Sequence, residues 1–259
     1  MYGNFIIASI KGKLLLSWKK NFTILEKLIS VIHPFTINNV TIDMKKVKQH
    51  NLYYVFLYPA VIPCCVHSWS RTFHQDLNIS DLFSEHKHFI YNRKSYEFHW
   101  KILHRNVFCE TKLKKMNKSN GMCKLCNTNE ETIIHLLYEC DVINPVWANF
   151  VTLLTHITGY QCVNNAKSIV LGFTKEELSD NVNLKLFMNF ILYIVKWCLW
   201  KHRNDVKYGQ APIKCHKVIY ETIVKMCKKE ANLIMESNLY AKCDEKLKVL
   251  LTNICANKI

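Results

Sequence analysis

Glycine and proline are scarce in this chain, with 6 and 5 residues in 259. A β-sandwich requires turn residues roughly every 8–12 positions, so the shortage argues against that class and favours long helices. The chain also has no Asp-Asp pair, no G-x-x-x-x-G-K-[ST] sequence and no G-x-G-x-x-G sequence. The last two absences argue against a P-loop nucleotidase and against a dinucleotide-binding fold.

A secretory signal and a membrane span are also missing. The N-terminus has no basic start followed by an apolar run and a small-residue cleavage site. We therefore expect an intracellular protein, nuclear or cytoplasmic, whose 12 cysteines are reduced thiols. The most apolar segment, residues 186–195, contains Asn189 and is bounded by Lys185 and Lys196. A segment this short cannot cross roughly 30 Å of hydrocarbon, so we expect a core helix and no membrane partner.

Three cysteines and one histidine in the middle of the chain have the spacing of a four-ligand zinc site, C-x2-C-x8-H-x4-C. Zinc takes four soft or borderline ligands in a tetrahedron, and a C-x2-C turn brings two sulfurs to one ion. The sequence thus predicts one structural Zn2+ held by Cys123, Cys126, His135 and Cys140. Four protein ligands leave no open position for water, which argues against a catalytic metal. The alternative is a set of buried free thiols beside a satisfied surface histidine.

A helix is expected between the two halves of this motif. Thr128-x-x-Glu131 has the form of a capping box and predicts a helix that begins near Asn129. His135 comes two residues after Ile133, roughly 200° round a helix, so it should point away from the apolar stripe. The predicted metal therefore joins a loop to a helix.

Another group of potential ligands stands at Cys64-Cys65-x-His67. Adjacent cysteines rarely share one tetrahedron, so we favour buried thiols over a second metal site. Signals for further helix starts follow the zinc motif, at Asn144-Pro145, at Asp180 or Asn181, at Pro212 and at Asp244.

Taken together, these patterns predict a mainly α protein: helical bundles around a zinc-stapled loop and helix, with a small β-hairpin near the N-terminus. The hairpin would use residues 5–16, and helices would follow at 18–31 and 43–58. A polar linker at residues 159–167 is the best internal boundary. We expect three parts, namely an N-terminal segment, a helical region with the zinc module and a C-terminal helical region, at 1–63, 64–158 and 168–259.

The stretch from residue 86 to 118 carries nine Lys or Arg and two acids, in a chain of formal net charge +15. Basic side chains contact phosphates without reading sequence, and exposed aromatic rings stack on unpaired bases. Trp100, Leu103 and Val107 are spaced by three and four residues, which predicts Trp100 in the core. We expect contacts with RNA or DNA at the basic residues that lead to the zinc turn: Lys101, Arg105, Lys112, Lys114, Lys115 and Lys118. The alternative is a solvated basic face.

A recognisable pattern joins residues 98–105, 111–113, the C-x2-C pair, 130–136, Cys140 and 146–147. Together they resemble the reverse-transcriptase zinc-binding region at the C-terminal end of LINE-type (non-LTR) retrotransposon polyproteins. The resemblance implies a zinc-stapled helical accessory region that helps the polymerase to engage its RNA template or target DNA. It also implies other retrotransposon proteins as further partners.

This chain departs from that family in the residues that would carry catalysis. Reverse transcription needs clustered carboxylates for two Mg2+ ions, and the family's polymerase motif has two adjacent aspartates. Such a pair is missing here, no endonuclease-like segment is visible, and we interpret Glu130-Glu131 as a helix cap with surface charge. We therefore expect a non-catalytic piece without polymerase or endonuclease. The alternatives are a zinc-stapled protein-interaction module and a decayed transposon remnant without selected activity.

Overall fold

The computed structural model divides the chain into two compact units, Met1–Val61 and Ile62–Ile259. The residues it describes are 36–37, 40–41, 64–77, 92–161, 164–179 and 181–256.

The described part of the first unit is a pair of two-residue strands. Thr36–Ile37 (β1) pairs antiparallel with Val40–Thr41 (β2), with Thr36 opposite Thr41. The hairpin predicted at residues 5–16 and the helices predicted at 18–31 and 43–58 lie outside the described residues.

The described part of the second unit is built from helices, which confirms the predicted mainly α fold. The α-helices are α1 (Cys64–Phe73), α2 (Arg93–Leu103), α3 (Glu110–Lys114), α4 (Asn144–Thr158), α5 (Ala166–Leu171), α6 (Val182–Lys207), α7 (His216–Met235) and α8 (Glu245–Ala256). Single turns of π- or 3₁₀-helix stand at His135–Glu139, Glu176–Leu178 and Tyr240–Lys242.

Side-chain caps fix the starts of several of these helices. The Asn181 side chain accepts a hydrogen bond from the Leu184 N–H at 3.0 Å, which begins α6 at the predicted place. The Asp244 carboxylate accepts from the Lys246 N–H at 2.8 Å and begins α8, also as predicted. The helix predicted from Pro212 instead begins four residues later, at His216. The residue before it, Cys215, has an extended backbone with φ −67° and ψ 156°.

Helix α6 lies at the centre of the second unit and packs against α2, α7 and α8. With 26 residues, α6 is the one helix among the described residues that is long and apolar enough to cross a bilayer. However, 72% of its most apolar 18-residue window is buried inside the protein. This burial identifies α6 as a core helix, as predicted for residues 186–195.

One hydrophobic core fills the space between α4, α6, α7 and α8. It contains the fully buried rings of Phe150 and Phe187 and extends to Cys123, Leu125 and Cys140 in the zinc motif. Side chains from both sides of residues 159–167 therefore share this core. The division predicted at those residues stays a prediction.

A second, smaller core joins α1 and α2 to the zinc motif and to α5. Trp69 is its largest side chain, and its indole N–H donates to the Leu103 carbonyl at the end of α2 at 2.9 Å. Leu136 and Leu137, from the turn between the last two zinc ligands, are fully buried in the same core. The second core thereby positions the basic helix α2 against the zinc motif.

Candidate metal centre

The first two ligands stand on a tight loop closed by backbone hydrogen bonds. The Cys123 N–H donates to the Asn129 carbonyl at 2.8 Å, and the Glu131 N–H donates to the Gly121 carbonyl at 2.9 Å. The loop turns through Asn127, which has a left-handed φ of 56°. Gly121 lies at φ 87°, where a side chain would be strained. These turns bring the sulfurs of Cys123 and Cys126 within 4.8 Å of each other.

The last two ligands are brought to the same side by a π-helical turn. Residues five apart in an α-helix lie roughly 140° apart round the axis, which would separate His135 from Cys140. Here the Cys140 N–H donates to the His135 carbonyl at 3.0 Å, which is the five-residue hydrogen bond of a π turn. The buried Trp147 indole N–H donates to the Leu137 carbonyl in this turn at 2.6 Å. The wider turn explains how an x4 spacing can bring both ligands to one ion.

The structure brings the four predicted ligands together. Their nearest ligand atoms all lie within 4.8 Å of one another. In a zinc tetrahedron with zinc–sulfur bonds of about 2.3 Å and zinc–nitrogen bonds of about 2.0 Å, two sulfurs lie about 3.8 Å apart, and a sulfur and a nitrogen lie about 3.5 Å apart. The Cys123 and Cys140 sulfurs are 3.9 Å apart, and the Cys126 sulfur is 3.4 Å from His135 Nε2. Both separations fit a single tetrahedral zinc ion.

Hydrogen bonds among these side chains favour a thiolate beside an imidazolium. The Cys123 and Cys140 sulfurs share a hydrogen bond, which lowers the pKa of Cys123 and raises the pKa of Cys140. The Cys123 sulfur in turn raises the pKa of His135 to about 9. The Leu125 N–H also donates to Cys123 Sγ, at 3.4 Å. Zinc binding replaces the protons of such a group, so the donor set and its charge suit a closed structural zinc site.

The helix between the two ligand pairs does not begin where the sequence predicted. Thr128 is exposed and lies in a bend, and helical structure begins only at Ile133. The cap is Thr132, whose hydroxyl accepts from the His135 N–H at 3.0 Å. The predicted capping box was wrong because Glu131 is completely buried and bound elsewhere. His135 is buried as well, where it faces the other ligands.

Glu131 belongs to a buried ion cluster that links the zinc motif to α6. Arg203 donates through Nη2 to Glu110 and to Glu131, at 2.5 Å each, and through Nε to Glu131 at 3.0 Å. Lys207 Nζ lies 2.6 Å from Glu110, which also accepts from the Ser119 hydroxyl. Burial would raise the pKa of Glu110, but hydrogen bonds from Lys207 and Ser119 and the nearby Arg203 charge hold that pKa below its usual value.

The sequence interpretation missed this cluster and assigned Glu131 to the surface. One signal was present in α6. Arg203 comes four residues after Leu199 and seven after Lys196, on the stripe that faces the core. A cation on a buried stripe requires an acidic partner, because an isolated buried charge is strongly unfavourable.

Arg105, predicted to contact nucleic acid, is engaged inside the protein. Its Nη1 donates to the Ser68 carbonyl, the Ser68 hydroxyl and the Thr72 hydroxyl at 2.8–3.1 Å. The guanidinium also lies 4.2 Å from the centre of the Trp69 ring. Arg105 therefore joins α1 to the end of α2, and its contact with nucleic acid stays a prediction.

Two of the predicted lysines have partners on the surface. Lys112 Nζ donates to the Asn106 side chain at 2.8 Å and stands 4.7 Å from the centre of the Phe108 ring. Lys114 forms an exposed ion pair with Glu130 at 2.6 Å. Such surface contacts are weak, so both ammonium groups stay accessible to a phosphate.

Lys101, Lys115 and Lys118 are exposed, and exposed aromatic rings lie near them in the chain. Trp100 is 41% exposed, which corrects the prediction that it lies in the core. The spacing was misleading because α2 ends at Leu103, so Val107 is not on the same helix. Phe108 is 49% exposed. The segment predicted to contact nucleic acid thus presents both cations and rings to solvent.

The group at the start of α1 does not form a metal site in the described residues. Cys65 is buried and its sulfur lies 3.9 Å from His104 Nδ1, whereas His67 is exposed. The preference for a buried thiol at Cys65 is therefore correct.

The site and the fold define a class: a four-ligand cluster that fits zinc, fixed to a helical bundle. We call this cluster and its loop, residues 121–140, the knuckle. Residues 65–147 match the family model described as zinc-binding in reverse transcriptase, which confirms the resemblance to such a region. The match includes the four ligands and extends to Trp147, the donor to the π turn. No curated protein and no solved structure matches the chain.

Proposed function

We propose that this protein is the zinc-binding accessory part of a non-LTR, LINE-type reverse transcriptase, and that it binds RNA or single-stranded DNA without catalysis of its own. The observation that carries the proposal is the tetrahedral cluster of Cys123, Cys126, His135 and Cys140 within the matched residues. The one zinc ion that this cluster fits has a structural role. Binding would take place on the basic surface beside the knuckle.

The knuckle holds part of that surface rigid. The Thr111 N–H and hydroxyl both donate to the Glu131 carbonyl, at 3.2 Å and 2.8 Å. Helix α3 and the lysines around it are thereby attached to the loop that carries the first ligands. A fixed cation loses less conformational entropy when it meets a phosphate, so a rigid basic edge favours binding.

A role without catalysis is supported by the surroundings of the adjacent acids. Glu130 is exposed and paired with Lys114, and Glu131 is buried against Arg203. These two carboxylates therefore point to different partners and are not arranged around a common pair of metal ions.

The test measures the affinity of the full chain for single-stranded RNA at a series of salt concentrations. Removal of one lysine–phosphate interaction reduces the slope of log affinity against log salt by about 0.7 for a single strand. Replacement of Lys101, Lys115 and Lys118 by alanine should reduce the slope by about 2 and weaken binding at low salt. A matched control replaces three exposed lysines of α7 and α8, Lys217, Lys225 and Lys246, and removes the same charge.

Equal slopes for the test variant and the control variant would refute the proposed surface. Wild-type protein that fails to bind RNA and DNA at low salt would refute the function itself. The two alternatives would then stand: a protein-interaction module, whose affinity would not fall steeply with salt, and a decayed transposon remnant without selected activity.

A further inference from the structure

A cleft between α2 and α6 is lined by aromatic rings and lysines, and it lies apart from the zinc ligands. Its volume is about 340 Å³, near the lower end of the roughly 300–1,000 Å³ of small-ligand sites. The residues that line it include Phe108, Trp197, Trp200, Lys94, Lys101 and Asn106. Two of these six, Trp197 and Trp200, come from α6, beyond the residues that match the family model.

The two tryptophans of the cleft wall are held by contacts with neighbouring side chains. Phe98 is buried beneath it, stacked on Trp200 with ring centres 5.2 Å apart and edge-to-face with Trp197 at 6.0 Å. Trp200 is also fixed from behind by the Arg203 guanidinium, 5.1 Å from its ring centre. Aromatic groups held in this way can stack on a flat ligand without losing side-chain freedom.

The rim of the cleft is positive and partly polar. Lys94 and Lys101 both line the cleft from α2, seven residues apart, and Lys112 Nζ lies 4.7 Å from the centre of the Phe108 ring. The acid on this wall, Glu97, is paired with Arg93 at 2.7 Å, which offsets its repulsion of an anion. The Asn106 side-chain oxygen accepts from Lys112 at 2.8 Å, and its NH2 group can donate to the edge of a base.

We infer that this cleft binds one unpaired base of a single-stranded RNA, with the phosphates on either side held by Lys94 and Lys101. Flat rings flanked by phosphates match aromatic walls flanked by lysines, and the two exposed cations favour a ligand that carries negative charge beside its ring. Stacking accepts every base, so the site adds affinity with little sequence preference. The inference rests on the proposed function and adds to it a base-binding contact, which shares Lys101 with the proposed basic surface and is made in part by α6.

Two chains of the same length and charge test the inference: a ten-residue oligoadenylate and a ten-residue sugar-phosphate chain without bases. The full protein should bind the oligoadenylate more tightly, by roughly 5- to 100-fold for a stacked base. Phe108→Ala should remove most of this preference and leave the salt slope unchanged, because every lysine that faces a phosphate is still present. Phe108→Trp should retain the preference.

Tyr208→Ala is the matched control, since Tyr208 is an exposed ring, 68% accessible, that does not line the cleft. It should bind both chains as the wild type does. The inference is overturned if Phe108→Ala keeps the wild-type preference, or if the wild type binds both chains equally. Those results would leave the proposed function intact, whereas failure to bind either chain at low salt would refute both.

Discussion

Arg203 offers the sharpest test of how the zinc knuckle is attached to the bundle. Its side chain is 1% exposed, and the two carboxylates that it contacts are equally buried. In Arg203→Met, Glu131 keeps only backbone hydrogen bonds, from the Glu110 N–H at 3.0 Å and the Lys124 N–H at 3.3 Å. Glu110 keeps Lys207. One buried carboxylate is thus left without its counter-charge.

Removal of one partner of a buried ion pair costs about 3–5 kcal/mol, because the remaining charge stays desolvated. For a chain of this size, 1 kcal/mol corresponds to about 2–4 °C in Tm, so Arg203→Met should lower Tm by about 6–20 °C. Thermal unfolding followed by far-UV circular dichroism, at one fixed zinc concentration, measures the shift.

A matched arginine is present on the surface. Arg93 also pairs with a glutamate, Glu97, at 2.7 Å, but its side chain is 87% exposed. Arg93→Met should lower the free energy of unfolding by no more than about 0.5 kcal/mol. Arg203→Lys, which retains the charge without the forked geometry, should fall between the two. If Arg203→Met melted within about 2 °C of the wild type, the buried cluster would not attach the knuckle as described.

Two further variants test the neighbouring parts of the structure. Trp147→Phe leaves the buried Leu137 carbonyl of the π turn without its donor and should destabilise the protein by about 1–3 kcal/mol in urea unfolding; an unchanged midpoint would contradict this role. Burial holds the pKa of Lys196 well below its usual value. Between that lowered pKa and the unfolded value of about 10.5, Lys196 binds a proton in the unfolded chain but not in the folded chain, so wild-type stability should rise with pH over this range. Lys196→Met should therefore show a smaller rise between pH 7 and pH 10, and an equal rise would contradict the lowered pKa of Lys196.

The parts of the fold that sequence reasoning predicted well depend on local chemistry. The ligand spacing at Cys123 and Cys126 requires only a tight turn, and the caps at Asn181 and Asp244 depend on neighbours within three residues. Local signals of this kind are written in consecutive residues, so a single sequence suffices to find them.

The parts that were missed depend on distant residues. Glu131 and Arg203 are 72 positions apart, and Glu110 and Arg203 are 93 apart, so no periodicity connects them. Thr128 and Glu131 match the sequence pattern of a capping box, but Glu131 is buried and binds Arg203 and therefore does not cap the helix. The prediction that Trp100 lies in the core was wrong for a related reason, because its spacing to Val107 assumed a helix that continues past the end of α2. The π turn that aligns His135 with Cys140 has no local sequence signal that we can identify.

The central claim is that one zinc ion joins Cys123, Cys126, His135 and Cys140. Elemental analysis of the gently purified full chain tests it most directly. The account predicts about one equivalent of zinc, absent from Cys126→Ala but retained in Cys215→Ala, which replaces an exposed cysteine outside the cluster. Less than about half an equivalent in the wild type, or equal zinc in the two variants, would contradict it.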